Sequence, residues 1–563
     1  MSSSPDFSQM HPPQPSLDQV TRSYEAIQDA FDQASTPEER VAAVRRWDEL
    51  ARTLMTWGSM ANLRFSQDTR NPAYKAEREL CDELSPSFTE LEVAFKRKLI
   101  ADPNNADIKQ AFGDHAFALW ETDITTFEPA IRDDLVQENK LTAEYVELLT
   151  SAKLAYQGET YNLSGISRFA QDSDRQVRHE TAELMWSWFE DNGEALDRIF
   201  DDLVELRTRM ARSLGYDNYI DLGYRRMQRV DYNQQDVERF REQVQTRVVP
   251  LAKQIRERQA KTLGVERLMS WDEAIHDSQG NPAPEGDHDW MLERATEMFD
   301  AMSGEMGEFF RMMRQRGLLD LKIREGKASG GFCTSMPDYD VPFIFANFNG
   351  TKGDVEVFTH EVGHAFQNWM SRDKELLAYQ WPTYEACEIH SMGLEFLTWP
   401  HMDKFFNDAE RFRTIHLTES LLFLPYGVAV DHFQHLIYEN PDATPAERKQ
   451  LWLEMEATYL PWRDWGDLSY PASGGRWQRQ GHIYNSPFYY IDYTLALSCA
   501  LQLWDKSERD YEGTLKDYIA LCSRGGEAPF LELVESAGLV SPFEEGCLDA
   551  VVARAERELG LSS

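Results

Sequence analysis

A mostly α-helical fold with one small β-sheet is what this sequence predicts, and three observations carry the prediction. Apolar residues recur at intervals of three and four over most of the 563 positions, as they do on helices that bury one face. Apolar residues make up 42% of the chain, with 15 Trp, 22 Tyr and 30 Phe, enough for a large core. A single stretch, "ASGGFCTSMPDYDVPFIFANFNG" at 328–350, breaks the helical period with glycine pairs, proline and a run of aromatic and β-branched residues.

The chain opens on "MSSSPDFSQMHPPQPS", which lacks a basic start and an apolar core, so residues 1–15 read as a disordered tail rather than a leader. "STPEERVAAVRRWDELARTLMTW" then carries helix-start signals. Thr36 is the expected N-cap, Pro37 takes the first helical position and Glu39 completes a capping box. Similar periodicity runs through 74–100, 128–157, 173–213 and 235–266. The segment "HDSQGNPAPEGDHD" at 276–289 reads as a surface loop between helices or a linker between domains. The sheet region follows, with "PFIFANF" as one strand. The remainder is again helical, interrupted by "DWGDLSYPASGGRWQRQGH" at 464–482.

Composition excludes several classes of function. A net charge of −38 repels nucleic acid and anionic lipid, so neither is an expected partner. No apolar run reaches the ~18 residues a spanning helix needs. The six cysteines are scattered without a CxxC pair, the pattern of a reduced intracellular protein, and a cytoplasmic location is expected.

The stretch "VFTHEVGHAFQNWM" at 357–370 carries the chemistry. His360 and His364 lie four apart, on one face of a helix, where two imidazoles can reach one ion at about 2.1 Å. Glu361 lies about 100° round that helix and can face a metal-bound water instead of binding the metal. Zinc lowers the pKa of such a water towards about 7, and a carboxylate can take its proton. His-Glu-x-x-His in this arrangement serves peptide hydrolysis without a covalent intermediate. Two imidazoles and a carboxylate among Phe358, Val362, Ala365, Phe366 and Trp369 are costly unless something pairs with them. A third ligand is expected from the next helix, "TYEACEIHSMGLEF". Glu385 and Glu388 share a face there, and spacing does not choose between them.

At these motifs the chain resembles the zinc oligopeptidases of the thimet oligopeptidase and oligoendopeptidase F family. The likeness lies in Asp354-Val355-Glu356 leading into Phe358-Thr359-His360-Glu361-Val362-Gly363-His364, and in Glu388-Ile389-His390-Ser391-Met392-Gly393-Leu394-Glu395. It extends to Ala346-Asn347-Phe348, "SLGYDNYIDLGYRRMQRVDY", "VDHFQHLIYENP" and "RWQRQGHIYNSPFYYIDY", and spans about 170 to 550. The resemblance implies a helical ellipsoid split by a deep central channel, with the small sheet beside the metal. It implies an N-terminal helical lobe at 16–169 and a catalytic region at 170–563.

The resemblance assigns one Zn2+ per chain to His360, His364 and Glu388, with Glu385 and Asp354 behind them. It makes Glu361 the base, and places Tyr493, Tyr490 and His482 at the oxyanion, with Tyr489 as a competitor for that role. Substrate contacts are expected at Phe345, Ala346 and Asn347, where the strand edge would pair with a peptide, and at Arg476, which would hold a carboxylate. His432 and His435, three apart, read as structural rather than as a second metal site. The implied activity is endo-cleavage of short unstructured peptides. The rivals are a zinc aminopeptidase or carboxypeptidase, and a non-catalytic peptide-binding relative.

Overall fold

The structure, a computed structural model, describes residues 5–561. The fold is mostly α, with five short strands. The first long helix, Pro37–Gln67, begins as its sequence predicts. Thr36 Oγ1 accepts the Glu39 N–H at 3.2 Å, and Glu39 Oε2 accepts the Thr36 N–H at 3.2 Å. The 74–100 periodicity becomes the helix Pro72–Ala101. The 128–157 periodicity instead gives a helix, Arg132–Thr150, and then a hairpin of β1, Leu154–Tyr156, and β2, Glu159–Tyr161. The helical period in the sequence runs on past the point where Gln157 and Gly158, both at positive φ, turn the chain back.

The disordered reading of 1–15 needs correction. Residues 1–4 lie outside the described residues, but the short 3-10 turn Phe7–Gln9 is held in place. The Phe7 N–H donates to Arg316 O at 2.9 Å, its ring lies 4.5 Å from that of Phe343, and Met10 is fully buried. Two apolar side chains in a polar, proline-rich stretch are enough to anchor it.

Two compact units make up the chain, and both are discontinuous. The first takes 1–129, 283–409 and 499–541; the second takes 130–282, 410–498 and 542–563. The 276–289 loop carries one crossing between them, and residue 169 lies inside the second unit. In the first unit the N-terminal helices are bound to the middle segment. Asp48 accepts the Leu377 N–H at 2.7 Å, Arg52 donates to Lys374 O at 2.9 Å, and Thr56 accepts the Asp338 N–H at 3.0 Å. Leu376 and Tyr379 enter the same apolar core as Trp47, Phe95 and Trp120.

The small sheet belongs to this first unit. Its strands are β3, Leu319–Lys322; β4, Phe332–Met336; and β5, Val341–Phe348, in the order β3-β5-β4. β5 runs parallel to β3 and antiparallel to β4, with Phe345 opposite both Asp320 and Phe332. "PFIFANF" is therefore the central strand; β4 covers its edge from Val341 to Phe345, and the β4 register ends there, short of Ala346 and Asn347. The near-continuous burial of β5 reports cover on both faces, while its central place comes from pairing with β3 on one edge and β4 on the other.

Candidate metal centre

β5 delivers the chain to the metal helix, Lys352–Met370, through a three-residue turn with Gly350 at φ +85°. Asp354, in the first helical turn, accepts the Asn349 N–H at 2.9 Å and the Gly350 N–H at 2.6 Å. It thus fixes where the helix starts relative to the strand. A carboxylate at this end is also favoured by the helix dipole.

One turn into the buried part of the helix stand His360 and His364, with ring centroids 5.0 Å apart and planes at 85°. Glu388 comes from the helix Tyr384–Leu397, and its Oε2 lies 3.2 Å from His360 Nε2 and 3.4 Å from His364 Nε2. The three ligand atoms all fall within 4.8 Å of one another. A tetrahedral ion with bonds of about 2.0–2.1 Å needs ligand atoms roughly 3.3–3.4 Å apart. The residues therefore fit a metal. Two half-buried imidazoles and a buried carboxylate converge on one point, a donor set suited to a cation. Without an ion, burial opposes charge on both sides. Even so, contact with Glu388 and Glu395 drives His360 well up, and contact with the imidazoles drives Glu388 well down.

The helices meet at Gly363. A Cβ there would lie 2.5 Å from His390 O and 2.6 Å from Ser391 Cα, so the missing side chain is what lets the backbones touch. The bare helix surface sets the distance between the histidines and Glu388.

Supporting carboxylates and hydroxyls surround the ligands. Glu395 Oε1 lies 2.8 Å from His360 Nδ1, which fixes the ring hydrogen there and leaves the Nε2 lone pair for a metal. Ser391 Oγ lies 2.8 Å from Glu388 Oε2 and orients it. Neither role was visible in the sequence, although Glu395 follows Glu388 by seven residues, two turns on one face. Glu385 is fully buried one turn before Glu388. His390 is also fully buried; its Nδ1–H donates to Ala386 O at 2.7 Å, and burial lowers it to about 4.

Glu361 is 7% exposed, and its Oε2 has no hydrogen-bond partner in the protein. Burial raises its pKa, against the pull of His360 and His364, so its carboxylate is a stronger base than an exposed one. The glycine loop before β4 lies against it, for a Cβ on Gly331 would sit 3.6 Å from Glu361 Oε1. The strand residues expected to touch substrate hold this loop. Asn347 Nδ2 donates to Ala328 O and Gly330 O, both at 2.9 Å. Ala346 O accepts from Lys327 Nζ at 2.5 Å, and the buried ring of Phe345 stacks on Phe332 at 4.8 Å.

In the second unit, His482, Tyr490 and Tyr493 converge as the sequence places them. The His482 ring lies 5.0 Å from that of Tyr490 and 5.7 Å from that of Tyr493, and Tyr489 lies 5.0 Å from Tyr493. Gln480 Nε2 meets His482 Nδ1 at 2.9 Å. Tyr490 is 9% exposed and burial holds its phenol protonated, whereas Tyr493 is only half-buried. Arg476 lines a cavity elsewhere in this unit. His432 and His435 bond to Tyr459 and Tyr224 at 3.0 Å each. Among the described residues the only metal-ready cluster is His360, His364 and Glu388.

Comparison with known proteins places the chain in a family. Residues 168–553 match Peptidase family M3, and residues 7–127 match the Peptidase M3 N-terminal domain. The chain is 45% identical to PZ peptidase A, solved with an inhibitor, at a TM-score of 0.95 and with 99% of each chain covered. It is 21% identical over 429 residues to the oligoendopeptidase F homolog of Borreliella burgdorferi, covering 72% of this chain and 70% of that protein. Oligoendopeptidase-F from Enterococcus faecium shares the fold at 15% identity, with a TM-score of 0.65 and coverage of 97% and 96%. By the extent of the first match, the chain belongs to peptidase family M3, whose members are metallopeptidases.

Proposed function

We propose that this protein is a zinc-dependent endo-oligopeptidase that hydrolyses short, unstructured peptides through a metal-activated water, with one ion per chain. The observation that carries the reading is the pair of 3.2 and 3.4 Å separations between Glu388 Oε2 and the two imidazole Nε2 atoms. Two imidazoles and one carboxylate are the donor set of a catalytic zinc site with an open position. Bound there by His360, His364 and Glu388, the metal supplies Lewis acidity and a water of lowered pKa.

The chain's own residues do the rest. Glu395 and Ser391 hold the ligands in register. Glu361, short of hydrogen bonds and raised by burial, takes the water's proton and returns it to the leaving amine. Tyr493, with Tyr490 and His482, donates to the oxyanion, a role supported by their convergence and by the protonated state of Tyr490. Phe345 is paired on both edges, whereas Ala346 and Asn347 lie beyond the β4 register, and these three contact substrate at that end of the strand and through the loop they hold. Asp354 serves by fixing the start of the metal helix, and Glu385 belongs to the buried acids around the site. A cytoplasmic location is part of the same reading, supported by six cysteines scattered through the sequence without a CxxC pair.

Metal analysis together with mass spectrometry of a digested peptide library tests the proposal. About one zinc per chain and internal cuts in N-terminally blocked peptides are expected. Cleavage confined to free N-termini would replace the endopeptidase with an aminopeptidase. Glu361→Gln should keep its zinc and lose about 10²–10⁴-fold in kcat.

A further inference from the structure

A cavity of about 330 Å³ lies wholly within the second unit, walled by Trp186, Trp271 and Trp465 and by four arginines. Two of the arginines are neutralised. Arg178 donates to Asp272 at 2.8 Å, and Arg463 donates to Glu273 at 2.7 and 3.2 Å. Among the described residues neither Arg476 nor Arg479 forms an ion pair within 4.0 Å, although Glu273 and Glu456 lie near enough to feel the charge of Arg476. The ring of Trp186 lies 5.9 Å from each of these two guanidiniums, and Tyr426 lies 5.0 Å from Arg476. Arg479 Nη2 donates to the Ser167 hydroxyl at 3.3 Å.

Four lining atoms are buried without a partner: three guanidinium nitrogens, which only donate, and the Ser270 hydroxyl, which can donate or accept. Nη1 of Arg476, Nη1 of Arg463 and Nε of Arg178 are buried donors without an acceptor in the protein. A carboxylate offers acceptors only, in the planar fork that guanidinium matches. A cavity of this size takes a carboxylate and one or two attached residues, and the indole walls suit an apolar side chain.

We propose that this cavity binds the C-terminal carboxylate of a peptide, with Arg476 and Arg479 holding the anion and the tryptophans receiving the last side chain. The choice of a peptide over another anion rests on the peptidase reading; the preference for an anion rests on the arginines.

The test uses the full-length Glu361→Gln protein, in which binding is read without cleavage. A short peptide ending in leucine is titrated by calorimetry as its free acid and as its C-terminal amide. The acid should bind about tenfold or more tighter than the amide, the value of a charge-assisted hydrogen bond. Arg479→Gln and Arg476→Gln should bring the two peptides to within about twofold of each other, while Arg479→Lys keeps part of the preference. Equal affinity for acid and amide with both arginines in place overturns the proposal. Inorganic phosphate titrated alone separates the sources: binding that Arg479→Gln abolishes, without an acid–amide difference, overturns the peptide assignment. If Arg476→Gln fails to fold, Arg479→Gln and the acid–amide comparison still decide, since Arg479 is exposed. Failure of the peptidase reading shows separately, as a wild-type protein that cuts no peptide.

Discussion

Glu395 and Glu388 are carboxylates on the same helix, yet they act on opposite nitrogens of His360. Glu388 faces Nε2 at 3.2 Å and Glu395 faces Nδ1 at 2.8 Å. Removing the second should weaken the first. Glu395→Gln is expected to lower zinc affinity about 10–100-fold, measured by competition with a chromogenic chelator. The two-histidine helix was legible in the sequence because its spacing is local and helical period is the strongest local signal. Glu395's partner lies 35 residues away, so its role depended on a helix crossing that no local pattern encodes. Glu361 was legible for the same reason as the histidines. Its isolation was not, because the glycine loop that covers it is a matter of tertiary approach.

Elements meet in this centre with little tolerance. Gly363→Ala would gain up to about 1 kcal/mol in helix propensity, yet its methyl would press into the His390 carbonyl and Ser391 Cα. A net loss of roughly 1–3 kcal/mol is expected, together with weaker metal binding, both visible in thermal unfolding with and without zinc. The glycine loop depends on a second contact, that of Asp320. Burial pushes its carboxyl up, but hydrogen bonds from Arg324, Lys327 and Gln67 outweigh burial and bring it to about 2. Its unfolded value is near 3.9, so its contribution, on the order of 2 kcal/mol, is present above about pH 4 and is lost as pH falls towards 2. Asp320→Asn should lower stability at pH 7 and flatten the acid limb of a pH–stability curve. β5 itself was legible as a strand from its composition. Its central place was not, because β3 and β4 pair with it in opposite senses across separate turns.

At the scale of the whole molecule, the helical class could be read from the sequence, but the order of assembly could not. Periodicity reports which face of a helix is buried and nothing about which distant segment buries it. Residues 1–129 share one compact unit with 283–409, through Asp48, Arg52 and Thr56 and through a common core. A fragment 170–563 would keep every proposed metal ligand and lose the helix Pro37–Gln67 that supports them. It is expected to bind no zinc and to be degraded by trypsin within minutes, as limited proteolysis against the intact chain would show. The same interleaving has a consequence in time. Translation proceeds at roughly 5–20 residues per second, so the first 129 residues leave the ribosome about 8–30 s before residue 283 is made. Through that interval the part of the N-terminal core that Leu376 and Tyr379 close stays open to water, until the stretch that completes it emerges.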